Sequence, residues 1–190
     1  MLILASQSPR RRELLTEAGL AFVCEPAKGA EPTALPDEPP ADFVRRCALH
    51  KAREIAASHP DDVVLGADTV VVFDGHIYGK PHDETEAAAM LSRFSGHPQQ
   101  VLTGVALLTG NDCRAWTCVS QVHFRTLDET VIRRYIGLVK TTDKAGAYAI
   151  QEHGEMLIDH IEGLRSNIIG LPVEEVAAAL AESPFHERLS

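Results

Sequence analysis

The feature that most constrains this chain is its opening, Leu2-Ile3-Leu4-Ala5-Ser6-Gln7-Ser8-Pro9-Arg10-Arg11-Arg12. Leu2 to Ala5 is an apolar run of strand length. It leads straight into Ser8, a good N-cap, and Pro9, whose missing N–H costs nothing at the first helical position. Leu14, Leu15 and Ala18 continue at helical spacing, and Gly19 closes the helix. A strand feeding a helix N-terminus this abruptly directs backbone N–H groups and the positive end of the helix dipole at one spot. Such a start calls for an α/β sheet and, with arginines beside it, a place for a multiply charged anion.

The three arginines point in different directions, because successive helical residues are about 100° apart. Arg11 shares the stripe of Leu14, Leu15 and Ala18, so its stem heads inward. Arg10 flanks that stripe, and Arg12 lies with Glu13 and Thr16 on the polar face. Arg10 and Arg11 are therefore read as ligand contacts and Arg12 as a solvated residue. The plainer reading, ordinary solvated helix charges, suits most basic runs. The Ser-Pro start and the inward Arg11 favour the ligand.

At 190 residues the chain is expected to form one domain spanning 1–190, with a real core. Its net charge of −9 argues against nucleic acid or an anionic membrane as partners, so a polyanion must bind in a local basic pocket. No apolar stretch approaches the roughly 18 residues a membrane span requires. The N-terminus lacks the charged start of a signal peptide. Cys24, Cys47, Cys113 and Cys118 form no C-x-x-C pair, which fits free thiols in a reducing cytoplasm. The nine histidines show no local zinc-ligand spacing, and no zinc site is expected.

Periodicity and turn signals predict the remaining elements. After a short strand at 21–25 and an exposed loop at 26–40, a helix spans about 41–58. Val63 to Phe73 is the most apolar strand, and Asp74-Gly75 turns it into His76-Ile77-Tyr78. Asp83 and Glu86 form a capping box for a helix closed by Gly96. Strands at 101–109 and 113–125 make a hairpin, the second alternating Trp116, Cys118, Val122 and Phe124 with polar residues. Thr126 and Glu129 cap a helix through Leu138. Strands near 147–150 and 156–161 follow, and Gly170-Leu171-Pro172 opens a last helix to about Ala181. The fold class is α/β with a mixed sheet.

The chemistry should lie where polar groups interrupt apolar patterns. Asp68 breaks the strand Val63–Phe73, and a buried carboxylate costs several kcal/mol unless paired. It lines a cleft or joins a structural ion pair, and the small Gly66 and Ala67 beside it favour the cleft. Lys51 falls on the apolar stripe formed by Val44, Cys47, Ala48 and Ile55. A single such lysine usually snorkels to solvent, yet an inward lysine and an inward aspartate together suggest a shared site. Lys80, in Tyr78-Gly79-Lys80-Pro81, reads alone as an ordinary turn residue. Glu31 in the exposed loop and Gln151 carry no signal by themselves, although 143–151 has the small residues of a binding loop. Ser166 to Pro172 is either another anion-facing helix start or a good cap. Helix-start amides, several cations and a carboxylate equip a chain for a nucleotide polyphosphate with a divalent metal.

In this order the motifs resemble the Maf family of nucleoside triphosphate pyrophosphatases. The matching segments are Leu4 to Arg11, Lys51-Ala52, Gly66-Ala67-Asp68-Thr69-Val70, Gly79-Lys80-Pro81, Ser95-Gly96, Asp143 to Gln151 and Gly170-Leu171-Pro172. The resemblance implies an elongated mixed β-sheet flanked by helices in two lobes with a central cleft, often in a homodimer. It also implies hydrolysis of a nucleoside triphosphate to the monophosphate and pyrophosphate, dependent on a divalent cation such as Mg²⁺ or Mn²⁺. By position, Asp68 matches the general base. Ser8, Arg10, Arg11, Lys51 and Lys80 match phosphate-site residues, and Glu31 matches an acidic cleft residue. Asp68 or Glu31, with phosphate oxygens and waters, is expected to hold the metal, which leaves Asp68 as base, metal ligand or both. The form of 144–151 resembles the branch acting on dTTP and UTP, which ties Arg11, Thr69 and Gln151 to base selection. Ala149 stands where that branch usually has glycine, and Gln99-Gln100-Val101 lacks a common histidine. Two other readings go with the resemblance: a nucleotide-binding regulator of cell division, and a pyrophosphatase for 7-methylguanosine triphosphate.

Overall fold

The computed structural model describes residues 1–189. Strand β1 (Leu2–Leu4) lies between β2 (Val23–Cys24) and β3 (Val63–Phe73) and runs parallel to both. Strand β4 (His76–Tyr78) returns antiparallel along β3 through Asp74 and Gly75, whose φ values of 49° and 74° fit the mirror-image turn expected there. Strands β5 (Pro98–Thr109) and β6 (Asp112–Phe124) follow, and β7 (Ile158–Glu162) pairs antiparallel with β6. The strands are ordered β2-β1-β3-β5-β6-β7, with β4 on β3, so the sheet is mixed as expected.

The chain divides into two compact units, one comprising Met1–Thr69, Thr103–Cys118 and the segment from Gly170 onward, the other Val70–Leu102 and Val119–Ile169. In the first, helix α1 (Pro9–Glu17) buries Arg11, Leu14 and Leu15, and helix α2 (Pro40–Ala56) buries Val44, Cys47, Ala48, Ala52 and Ile55. Ala48, Ala52 and Ile55 of α2 meet Ile3, Ala5, Val64 and Ala106 in one apolar cluster. Two glycines allow α2 to come this close. A Cβ on Gly66 would sit 2.3 Å from the Ala48 carbonyl oxygen, and one on Gly104 would sit 2.2 Å from that of Val44.

The second unit is built around aromatic rings. Phe94, Phe124 and Tyr148 meet edge to face, with Phe94 and Phe124 5.9 Å apart and Phe124 and Tyr148 4.9 Å apart. Helix α3 (Glu84–Phe94) starts at Asp83, whose carboxylate accepts the Glu86 N–H at 2.8 Å. Helix α4 (Glu129–Leu138) is capped by Asp128 and not by Thr126, because Asp128 accepts the Val131 N–H at 2.9 Å.

Residues 147–150 are not a strand. Gly146 and Ala147 take φ values of 69° and 66°, which interrupts extended backbone, and residues 145–147 form a 3₁₀ turn. The Tyr135 hydroxyl then accepts the Ala149 N–H at 3.0 Å, filling a partner that a strand would have supplied. A further 3₁₀ turn at Gly154–Met156 delays β7 to Ile158. Helix α5 (Arg165–Ile169) was not foreseen. Helix α6 (Val173–Leu180) follows Pro172 as expected, and α7 (Phe185–Leu189) extends the helical end. Among the described residues no helix is long and apolar enough to cross a membrane.

Candidate active site

The first unit gathers most of the predicted residues around α1, α2 and the middle of β3. Ser8 caps α1 as expected, its hydroxyl accepting the Arg11 N–H at 3.4 Å. The Ser8 N–H itself goes to Ser6 Oγ at 3.2 Å, and the Arg12 N–H to the Ser8 carbonyl at 3.3 Å. Since Pro9 has no N–H, Arg10 supplies the one first-turn amide with no intramolecular acceptor among the described residues. The anion-facing end of the helix is thus narrower than expected. Arg10 is half-buried and Arg12 exposed.

Arg11 is buried at 9% exposure, as its place on the apolar stripe requires. Its Nε donates to the Gly170 carbonyl at 2.8 Å, its Nη1 to Ser6 Oγ at 3.1 Å and its Nη2 to Thr69 Oγ1 at 3.1 Å. Three of five guanidinium donors are therefore engaged by the protein. Burial pulls its pKa below the usual arginine value, opposed by the Asp68 charge. Guanidinium remains charged at any physiological pH regardless. The Thr69 hydroxyl is equally committed, lying 2.9 Å from Thr103 Oγ1 and 3.2 Å from the Gly170 carbonyl. With one donor and two acceptor sites, it has its local complement already. Arg11 and Thr69 form a braced pair.

Lys51 reaches inward from α2 instead of snorkelling outward. Its Nζ lies 2.6 Å from Asp68 Oδ1 and 2.9 Å from Glu31 Oε1. Burial lowers the lysine's proton affinity, but the charge and hydrogen bond of Asp68, with Glu31, outweigh it and leave the pKa above its ordinary value. Asp68 and Lys51 are 17% and 14% exposed, open enough for a ligand to reach them. The Asp68 and Glu31 charges also act on Arg11, so carboxylates and guanidinium share one electrostatic neighbourhood.

Glu31 is 76% exposed and depends on its loop for position. Glu54 on α2 accepts the N–H groups of Lys28 at 2.7 Å and Gly29 at 3.0 Å. Arg46, also on α2, holds Glu38 at 2.7 Å and 2.6 Å and the Thr33 carbonyl at 2.8 Å. The loop is tied to α2 on both sides of Glu31, which turns an irregular segment into a defined one.

Lys80 and Gln151 belong to the second unit, and both are exposed there. The segment before Gln151 is braced by the Tyr135 hydroxyl and by Lys144. Lys144 is almost fully buried and pairs with Asp143 at 2.7 Å and Glu152 at 3.1 Å. Sequence reading missed Ser6, Thr103 and Gly170 as parts of the Arg11 network, and Arg46 and Glu54 as anchors of the Glu31 loop. Residue type alone does not single out the anchors, since Arg45, His50 and Arg53 are equally polar on the same helix and several anchor partners are backbone groups.

The model of the family described as Maf-like protein matches residues 1–183. This chain belongs to the Maf family. It is 44% identical over 178 residues to a protein of Akkermansia muciniphila named dTTP/UTP pyrophosphatase, covering 94% of each chain. Proteins of the same name from Anaeromyxobacter dehalogenans and Symbiobacterium thermophilum are also 44% identical. They cover 97% and 95% of this chain and 94% and 93% of their own. Membership of the Maf family matches the resemblance carried by the motifs from Leu4 to Pro172.

Proposed function

We propose that this Maf-family protein hydrolyses dTTP and UTP to the nucleoside monophosphate and pyrophosphate, with water attacking the α-phosphorus. The observation that carries the reading is the Asp68–Lys51–Glu31 cluster, with Arg11 braced beside it. An inward carboxylate among cations is of little use to a simple anion binder, because it repels phosphate. It suits a site that must also accept a proton. The relatives named dTTP/UTP pyrophosphatase support the substrate class over nearly the full length of both chains.

In this reading Asp68 takes the proton of the attacking water. Lys51, Arg10 and the Arg10 amide neutralise the triphosphate, and Ser8 holds the helix start that presents that amide. Positioning and charge stabilisation carry most of the rate, since the protein forms no covalent bond. Arg11 and Thr69 contribute to base selection as a rigid pair. Lys80 as a phosphate contact and Gln151 as reader of a pyrimidine edge, with one acceptor and two donors on its amide, rest on the family resemblance alone.

A divalent cation, Mg²⁺ or Mn²⁺, is part of the proposal. Asp68 and Glu31 are the residues that would hold it. Their oxygens converge on a single ammonium, and carboxylate oxygens are the donors such hard cations take. Bound there, the ion would supply charge neutralisation for phosphate oxygens. A homodimer and a cytoplasmic location are proposed with it. The free, exposed thiols of Cys24 and Cys113 support a reducing compartment.

The test is product analysis across dTTP, UTP, the purine triphosphates and 7-methylguanosine triphosphate, with Mg²⁺ or Mn²⁺. Pyrophosphate and monophosphate from dTTP and UTP are expected. Orthophosphate with a diphosphate would refute attack at the α-phosphorus. Preference for 7-methylguanosine triphosphate would overturn the substrate assignment, and nucleotide binding without turnover would favour the regulator.

A further inference from the structure

A second cluster of chemically competent side chains lies in the second unit, on the β6–β7 pair. The register sets His123 directly opposite His160 and Gln121 opposite Glu162. Two residues along a strand share a face, so Glu162 stands beside His160 and diagonal to His123. The imidazoles stack with centroids 4.0 Å apart and planes 13° from parallel. Glu162 Oε1 lies 3.1 Å from His123 Nε2 and 3.9 Å from His160 Nε2. One ligand atom from each of the three residues falls within 4.8 Å of the others.

Two further observations prepare this cluster for a metal. Asp159 Oδ2 lies 3.0 Å from His160 Nδ1. With the proton on Nδ1 the carboxylate accepts it, leaving the Nε2 lone pair facing Glu162. Carboxylate–imidazole pairs of this kind orient metal-binding histidines. The Nε2 atom of His123 is shielded from solvent and has no hydrogen-bond partner among the described residues. The Glu162 oxygen near it is close enough but not aligned as a hydrogen bond. A shielded ring nitrogen that makes no hydrogen bond yet faces a carboxylate is the arrangement a cation would satisfy.

We propose that His123, His160 and Glu162 bind a zinc-class divalent cation, with Asp159 positioning His160. Two imidazoles and one carboxylate form a known three-residue zinc set, with the fourth position open to water. Bond lengths of about 2.0–2.2 Å place tetrahedral ligand atoms roughly 3.3 Å apart, so the cluster must contract by about 1.5 Å at most. His160 and Glu162 are 54% and 61% exposed and are the side chains that turn to do so. The cation fastens β7 to β6. The sequence shows no zinc spacing here because the ligands meet across a strand pair and not along one element. Imidazole donors separate this site from the all-oxygen set at Asp68 and Glu31.

The test uses the full chain after chelator treatment. Zn²⁺ binding is followed by calorimetry, Co²⁺ binding by visible absorption, and stability by thermal unfolding. One equivalent is expected to bind below ~10 µM, and saturation should raise Tm by ~5 °C. His123→Gln and His160→Gln should each weaken binding at least ~10-fold, and Asp159→Asn by ~10-fold through loss of orientation. Cys24→Ser/Cys113→Ser should leave binding intact. Circular dichroism checks folding, and Asp159→Asn keeps the test decisive if a histidine variant fails to fold. Absence of binding to the wild-type chain at ~100 µM would overturn the site. So would undiminished binding in the double histidine variant, or loss of binding in the cysteine variant.

Discussion

Lys51 Nζ stands 2.6 Å from Asp68 Oδ1, an ion pair that joins α2 to the middle of β3. Asp68→Asn keeps the shape and the hydrogen bond but removes charge and basicity. Turnover of dTTP and UTP is expected to fall at least ~100-fold, the scale of general-base loss, with the fold retained. Steady-state kinetics beside circular dichroism measures both. Near-normal turnover would remove Asp68 from the proton-accepting role.

Arg11 should prove structural as well as electrostatic. Lys at this position cannot donate in three directions from one plane, so the Gly170 carbonyl and the hydroxyls of Ser6 and Thr69 lose partners. Each keeps another partner, so the cost is that of the lost charge-assisted hydrogen bonds, about 1.5–3 kcal/mol apiece. Arg11→Lys should therefore destabilise the chain by ~2–4 kcal/mol in urea unfolding. It should also blur the preference between pyrimidine and purine triphosphates, because Thr69 loses its brace. A variant as stable as the wild type would mean that the network rearranges at no cost.

Local patterns made much of this legible. The α1 cap at Ser8, the bounds of β3 and the Asp74-Gly75 turn each depend on neighbours in sequence, where capping, periodicity and turn chemistry operate. Asp68 and Lys51 stood out as polar residues on apolar patterns, and the structure pairs them. Residues 147–150 misled because an apolar run looks extended until a positive φ intervenes at Ala147. Gly170 was invisible as a partner of Arg11, since a backbone carbonyl leaves no mark on residue type. Glu31 is brought to Lys51 by loop anchors whose partners are partly backbone groups, and cross-strand ligands such as His123 and His160 lack any common spacing.

Gly66 and Gly104 set how closely α2 approaches the sheet, and hence whether Lys51 reaches Asp68. A methyl group at either position meets a helix carbonyl oxygen, at 2.3 Å or 2.2 Å, and backbone cannot yield as a flexible side chain would. Gly66→Ala and Gly104→Ala should each cost ~1–3 kcal/mol by overpacking. Both should lower turnover more than an exposed control such as Gly137→Ala. Calorimetry and kinetics on the three variants decide the matter. Unchanged stability would show that α2 shifts freely and that its close seating is not required.

The loop carrying Glu31 should loosen in acid through a defined group. The hydrogen bonds from Arg46, and then the Leu35 N–H, hold the Glu38 carboxyl down to about 2 from the ordinary glutamate value of 4.5. A carboxyl whose pKa falls on folding contributes stability that is fully present above its unfolded pKa. That contribution is lost as pH falls from about 4.5 toward 2, because the unfolded chain takes up the proton first. Glu38→Gln removes this component, so its stability should be lower than wild type at pH 7 and should converge with it near pH 2. Cleavage within residues 26–39 by an acid-active protease should rise for the wild type over the same interval and begin high in the variant. Urea unfolding from pH 7 to pH 2 tests the sign. Parallel curves, with a constant gap between the two proteins, would show that Glu38 is not the group that titrates.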